Sequence, residues 1–280
     1  MKTFEWEWKS FDGLNMYSKG WAPDKEPKAI ICLAHGHGEH IGRYEHVGAA
    51  FAKAGYALLG FDLRGHGKSG GPRGHSPSFE AFLRDIDSFI GETKSRYPDS
   101  PRFLYGHSLG GLLTLSYALN RTVDAKGLIV SSPGLRTALH EQKAKVALAR
   151  VLGVLAPTIT IPSGLSTDHI SRDPQVVKAY INDPLVHDKM TLGFGRAALQ
   201  VTSNIFEQAG KLSVPLLLAY CSADKLTYPH GSEEFAGLTP KGLVTLKRFE
   251  GLYHEPHNEP EQAEVFKTYI QWLDSQVKVK

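Results

Sequence analysis

Five short, unbroken apolar runs constrain this chain more than any other feature: Ala29 to Ala34, Tyr56 to Phe61, Phe103 to Tyr105, Gly127 to Val130 and Val214 to Tyr220. A strand with one wet face alternates apolar and polar side chains. A run without polar interruption suits a strand covered on both faces, as in a parallel sheet. Helical patterns separate these runs. Between Ser76 and Tyr97, the residues Phe79, Phe82, Leu83, Ile86, Phe89 and Ile90 recur at helical spacing, with Ser76 and Ser78 as N-caps and Pro98 beyond the end. Leu109 to Leu119 is apolar nearly all round, which predicts a buried helix. Strands alternating with helices predict an α/β fold, a mostly parallel central sheet flanked by helices. At the start of the chain, Phe4, Trp6 and Trp8 alternate with charged residues. They read as a half-buried strand whose aromatic side packs on the core rather than forming a binding stripe.

The rhythm stops at Ser131-Ser132-Pro133-Gly134, and no buried strand run appears again until Val214. Ala144, Ala147, Leu148, Val151, Leu152 and Leu155 form one face of an amphipathic helix that Pro157 ends. We read residues 135–210 as a mainly helical cap inserted into a core made of 1–134 and 211–280. The apolar face of the cap helix is expected to pack on the protein's own core, with contact to a membrane surface open as the alternative.

Composition excludes several classes. The chain has 280 residues, 41% apolar and 22% charged, enough for one large core with an insertion and too apolar for disorder. The net charge of +3 comes from scattered Lys and Arg, so a nucleic-acid stripe is not expected. Cys32 and Cys221 both fall within apolar runs and read as buried free thiols. The first residues lack the apolar stretch of a signal peptide, and Arg150 and Pro157 interrupt the longest apolar segment, 146–161. A cytoplasmic protein is expected, with peripheral membrane contact compatible with it.

Gly106-His107-Ser108-Leu109-Gly110 matches G-x-S-x-G. In a chain with 28 glycines the match alone is weak. Its position between a strand run and a buried helix is the setting in which a serine is thrust out on a tight turn. Glycines two before and two after Ser108 remove side chains that would collide there. A serine hydroxyl needs a base, and the base needs a carboxylate to orient it. Asp224 follows the run that ends at Tyr220, and His254 follows the next apolar stretch, Leu243 to Phe249. Type, chain order and strand-end setting make Ser108, Asp224 and His254 the candidate nucleophile, acid and base. The backbone N–H groups of Leu109 and His37 are the candidate oxyanion donors.

Two competing motifs fail on context. His35, His37, Glu39 and His40 fit no metal-ligand spacing, so no metal or other cofactor is expected. Gly65-His66-Gly67-Lys68-Ser69-Gly70 matches G-x-G-x-x-G, yet Gly71-Pro72-Arg73-Gly74 follows where a phosphate-binding helix would begin.

The set His35-Gly36-His37-Gly38-Glu39-His40 with Arg43-Tyr44, the run Phe61 to Ser69, Gly106 to Gly111, Asn182-Asp183-Pro184-Leu185, Ser222-Ala223-Asp224 and Tyr253-His254 with His257 resembles the monoacylglycerol lipase and lysophospholipase-like α/β hydrolases. The resemblance implies the α/β-hydrolase fold, with a cap over a hydrophobic acyl tunnel. It implies a small lipid-ester substrate, a monoacylglycerol split into fatty acid and glycerol. It also implies that Glu39, Arg43 and His257 line the polar end where the alcohol sits. His37 stands where the animal lipases carry a small residue. A lysophospholipase, a general short- or medium-chain carboxylesterase, a serine aminopeptidase and a non-catalytic binding protein on the same fold remain alternatives.

Overall fold

The computed structural model describes residues 1–278, so the last two positions of the expected core, 279 and 280, lie outside the described residues. The chain opens with a hairpin, β1 (Lys2–Lys9) and β2 (Asn15–Ala22). There follow β3 (Ile30–Ala34), α1 (Glu45–Lys53), β4 (Ala57–Phe61), α2 (Phe79–Arg96), β5 (Arg102–His107), α3 (Leu109–Asn120) and β6 (Leu128–Ser131). A long excursion carries α4 (Ala138–Glu141), α5 (Lys143–Leu155), β7 (Thr160–Pro162), α6 (Pro174–Asn182), β8 (Lys189–Thr191) and α7 (Leu192–Gln208). The chain then returns through β9 (Leu216–Cys221), α8 (Pro229–Leu238), β10 (Val244–Phe249) and α9 (Gln262–Val277).

Among the described residues the main sheet has eight strands in the order β1-β2-β4-β3-β5-β6-β9-β10. β2 runs antiparallel to β1 and β4, and the remaining pairs are parallel. The continuous apolar runs follow from this layering. In β3, Ile30, Cys32 and Ala34 face one core with Phe82, Phe89, Leu113 and Leu115, while Ile31 and Leu33 face the other with Val47, Phe51, Tyr269 and Leu273. Helices α2 and α3 thus cover one face of the sheet, and α1 and α9 cover the other. Trp6 and Trp8 pack against Phe89 of α2, with ring centroids 6.2 and 6.1 Å apart. Ser78 caps α2 by accepting from the Ala81 N–H at 3.1 Å. Cys32 and Cys221 are buried free thiols.

The excursion between β6 and β9 meets the loops that follow β3 and β4. Its β7–β8 ribbon is antiparallel and separate from the main sheet. The N–H of His187 donates to the Gly38 carbonyl at 2.9 Å, and that of Thr191 to Gly74 at 2.9 Å. Here one expectation is corrected. The apolar face of α5 does not pack on the core: Leu148, Val151 and Leu155 are 56%, 55% and 75% exposed. The helix meets the protein mainly through α7, where a Cβ on Gly153 would stand 2.6 Å from that of Arg196. Such a narrow seam covers only a thin stripe of a wide apolar face.

Candidate active site

Parallel strands deliver their carboxyl ends to one edge of the sheet, where sites in α/β folds collect. Ser108 directly follows β5, Asp224 follows β9, His254 follows β10, and the His35–His40 loop follows β3.

Ser108 adopts φ +52° and ψ −111°, a strained backbone that lifts its side chain clear of the sheet. The tightness of the turn explains its glycines. A Cβ on Gly106 would lie 2.1 Å from the Gly110 carbonyl oxygen, and one on Gly110 would lie 1.9 Å from that of Ala34. From this turn Ser108 Oγ lies 2.9 Å from His254 Nε2, and His254 Nδ1 lies 2.8 Å from Asp224 Oδ2. Asp224 Oδ1 accepts the N–H groups of Leu226 and Thr227 at 2.8 and 2.9 Å, and the Thr227 hydroxyl donates to Oδ2 at 2.8 Å.

Charge follows geometry. Burial would raise the Asp224 carboxyl, but His254 and the Thr227 donors outweigh it and hold the pKa below its usual value. Burial would lower the His254 imidazole, but the charge and hydrogen bond of Asp224 outweigh it, helped by Glu255 and Glu39, and the pKa is raised above 6.5. Ser108, His254 and Asp224 therefore form a polarised chain able to accept a proton from the serine.

The loop after β3 passes close to Ser108: a Cβ on Gly36 would lie 3.3 Å from the Ser108 Cβ. Leu109 is the first residue of α3, so its N–H belongs to the unpaired first turn, where negative charge is favoured. The His37 ring packs at 5.4 Å from His66, 5.7 Å from His187 and 5.6 Å from Phe194. Burial lowers its pKa to about 4, so this imidazole is neutral at pH 7.

A cavity of about 390 Å³ opens above Ser108 and His254, walled by His37, Glu39, Ile170, Tyr180, Ile181, Val186, His187 and Glu255. Through Ser163, Leu165, Ser166 and Leu226 it adjoins a second cavity of about 620 Å³, lined by Leu148, Leu152, Ile161, Met190 and Leu192. One end is polar and the other apolar, and the excursion supplies much of both walls.

Of the three residues that the resemblance puts at the polar end, Glu39 lines the cavity. Arg43 and His257 lie behind the wall. Arg43 is held between Glu39 and Glu255, under the Tyr180 ring at 4.6 Å. His257 is fully buried, stacked on Tyr44 at 4.8 Å and edge-on to His107 at 4.8 Å. Sequence reasoning missed Thr227, Tyr180 and Glu255. Thr227 carried a local signal, a hydroxyl residue three after an aspartate. Glu255 carried none beyond its place next to His254. Among the described residues no cluster of three or more His, Cys, Asp or Glu is arranged to hold a metal ion. No helix there is long and apolar enough to cross a membrane.

The family described as serine aminopeptidase, S33, matches residues 25–261. The chain belongs to this family. A monoacylglycerol lipase of Mycolicibacterium smegmatis is similar at 36% identity over 94% of this chain and 94% of its own. An uncharacterized abhydrolase domain-containing protein of Dictyostelium discoideum is similar at 40% identity over 92% of this chain, which spans 27% of that longer protein. The crystal structure of a Paleococcus ferrophilus monoacylglycerol lipase matches with a TM-score of 0.85 and 36% identity, covering 93% of this chain and 99% of that one. The S33 member described here has the α/β-hydrolase fold.

Proposed function

We propose that this protein is a serine esterase whose substrate is a monoacylglycerol, cleaved through an acyl-enzyme on Ser108. The observation that carries the reading is the hydrogen-bonded chain from Ser108 through His254 to Asp224, standing at the mouth of a cavity that is polar on one side and apolar beyond. In the first step Ser108 Oγ attacks the ester carbonyl and His254 Nε2 takes its proton. The N–H groups of His37 and Leu109 hold the oxyanion. The C–O bond to the alcohol breaks, and His254 returns the proton to the departing glycerol. Water, deprotonated by His254, then cleaves the acyl-enzyme and releases the fatty acid.

Residues 135–210 act in this reading as a cap whose walls measure the acyl chain. The apolar cavity supports a fatty acyl group over a short acid, and the monoacylglycerol lipases among the relatives support the glycerol head. The exposed Leu148, Val151 and Leu155 support a peripheral contact of the cap with a membrane surface.

Hydrolysis rates on a medium-chain monoacylglycerol, the matching di- and triacylglycerols, a lysophospholipid, an aryl acetate and an aminoacyl anilide test the reading, with Ser108→Ala as control. Preference for the monoacylglycerol, lost in the variant, is expected. Preference for the lysophospholipid or the anilide would reassign the substrate. Turnover of none would leave a binding protein.

A further inference from the structure

At the polar wall of the cavity, three charged side chains tie the loop after β3 to the loop after β10: Glu39 and Glu255 line the wall, and Arg43 lies behind it. Glu255, next in sequence to His254, receives both terminal nitrogens of Arg43: Nη1 donates to Oε1 at 2.8 Å and Nη2 to Oε2 at 2.7 Å. Arg43 Nη1 also donates to Glu39 Oε2 at 2.6 Å. Glu39 Oε1 in turn accepts the backbone N–H of Gly36 at 2.6 Å and the Tyr44 hydroxyl at 2.7 Å. Asn258 completes the coordination of Glu255 Oε2 at 2.7 Å. The side chains of Glu39, Glu255 and Arg43 are only 3%, 4% and 10% exposed.

Two carboxylates around one guanidinium, out of water, are an expensive way to gain stability. Well-packed apolar residues often do as well or better. What the arrangement supplies is direction. A planar fork that donates to a carboxylate in two parallel bonds fixes both partners in angle as well as distance. At one end of the relay is Gly36, where an added Cβ would lie 3.3 Å from the Ser108 Cβ, and whose neighbour His37 carries the N–H proposed above as an oxyanion donor. At the other end is the backbone of His254, with Glu255 N–H further anchored on the Ile170 carbonyl at 2.8 Å.

We propose that Glu255 is a positioning residue which, through Arg43 and Glu39, holds the Gly36–His37 segment and His254 at the separation the acyl-transfer step requires. The proposal rests on the assignment of Ser108 and His254 made above. Burial would raise the Glu255 carboxyl, but Arg43 outweighs it and brings the pKa down to about 2, so Glu255 stays charged at neutral pH, while burial, with the nearby Glu255 charge, raises the Glu39 carboxyl. Donors aimed at a developing oxyanion lose much of their effect when misplaced by about 1 Å. Loosening the tie therefore lowers kcat and leaves ground-state binding alone.

The test compares Glu255→Gln, Glu255→Asp, Glu39→Gln and the Glu39→Gln/Glu255→Gln double variant on a soluble aryl ester, with thermal unfolding alongside. Gln removes the charge at constant size. Asp keeps the charge but is one methylene short of the bidentate reach, and it carries the test if Gln fails to fold. The expected result is a fall in kcat of about tenfold or more for each Glu255 variant with KM within about twofold. The double variant should lose little more than the worse single, because the residues act as one unit. A lowered unfolding temperature with kcat unchanged would reduce the network to a fold element and overturn the proposal. Raised KM with kcat kept would overturn it too, by making Glu255 a binding residue, and so would fully additive losses. Activity that survives Ser108→Ala would instead defeat the underlying assignment, so the two failures are distinguishable.

Discussion

Thr227 wraps Asp224 from two sides: its N–H reaches Oδ1 at 2.9 Å and its hydroxyl reaches Oδ2 at 2.8 Å. The same hydroxyl lies 3.1 Å from the Ser132 carbonyl and 3.3 Å from His254 Nδ1. Asp224 is thereby pinned in the orientation that presents Oδ2 to the imidazole. Replacing the carboxylate itself by an amide, Asp224→Asn, favours the wrong imidazole tautomer and is expected to lower kcat on the order of 10⁴-fold. Thr227→Val keeps the shape and removes only the hydroxyl, so a loss of about tenfold is expected. Steady-state kinetics on a soluble ester, with the fold checked by circular dichroism, would measure both. An Asp224→Asn enzyme with native kcat would eliminate the relay.

Activity should depend on pH with a definite sign. As the proposed base, His254 would work only when neutral, and Asp224 raises its pKa above the 6.5 of an ordinary imidazole. The ratio kcat/KM should therefore be on its plateau above that raised value and decline as pH falls through it. A pH–rate profile of an aryl ester locates the midpoint. A profile flat down to about pH 5 would be incompatible with histidine as the base.

Two glycine substitutions separate a close backbone contact that requires glycine from an open helix surface that merely contains one. A Cβ on Gly110 would stand 1.9 Å from the Ala34 carbonyl oxygen, on backbone that cannot yield cheaply. Gly110→Ala should displace Ser108, abolishing measurable activity and destabilising the protein by about 3 kcal/mol or more. Gly91 lies inside α2 with nothing within 4 Å of an added Cβ. Gly91→Ala should stabilise by about 0.5–1 kcal/mol at unchanged activity. Urea unfolding of the two variants reads both signs, and a neutral Gly110→Ala would contradict the packing described.

The exposed face of α5 makes a prediction about surfaces. Val151, Val154 and Leu155, 55%, 60% and 75% exposed and outside the apolar cavity lining, replaced together by Gln should leave hydrolysis of a soluble aryl ester within about twofold and cut co-sedimentation with phosphatidylcholine–phosphatidylglycerol vesicles severalfold. Equal sedimentation of native and variant protein would remove the membrane contact from the proposal.

How much was legible depended on whether the signal was local. The strands β3, β4, β5, β6 and β9 are buried on both faces, so each wrote an unbroken apolar run into the sequence. β2 was missed because Ser18, Lys19 and Gly20 interrupt it. Ser18 is nevertheless fully buried, its hydroxyl accepting the Trp8 indole N–H at 2.8 Å, a pairing visible only across the hairpin. Helices α1, α8 and α9 also went unread. The Ser108 turn was readable because strand, turn and helix are consecutive and sterics dictate their glycines. The strand-end positions of Asp224 and His254 were readable because each follows a recognisable strand.

The sequence alone thus determined the alternation of strands and helices, the elbow at Ser108 and the order of the three polar residues, since periodicity and turn sterics act between near neighbours. Only the tertiary structure decided what lies against what. Glu255 reaches Arg43 across 212 positions of chain, and His254 reaches Ser108 across 146. The face of α5 has the pattern of a core helix and is exposed all the same. Periodicity states which side chains share a face, whereas the covering of that face, like the meeting of distant charges, is settled by packing between elements that carry no trace of one another in the sequence.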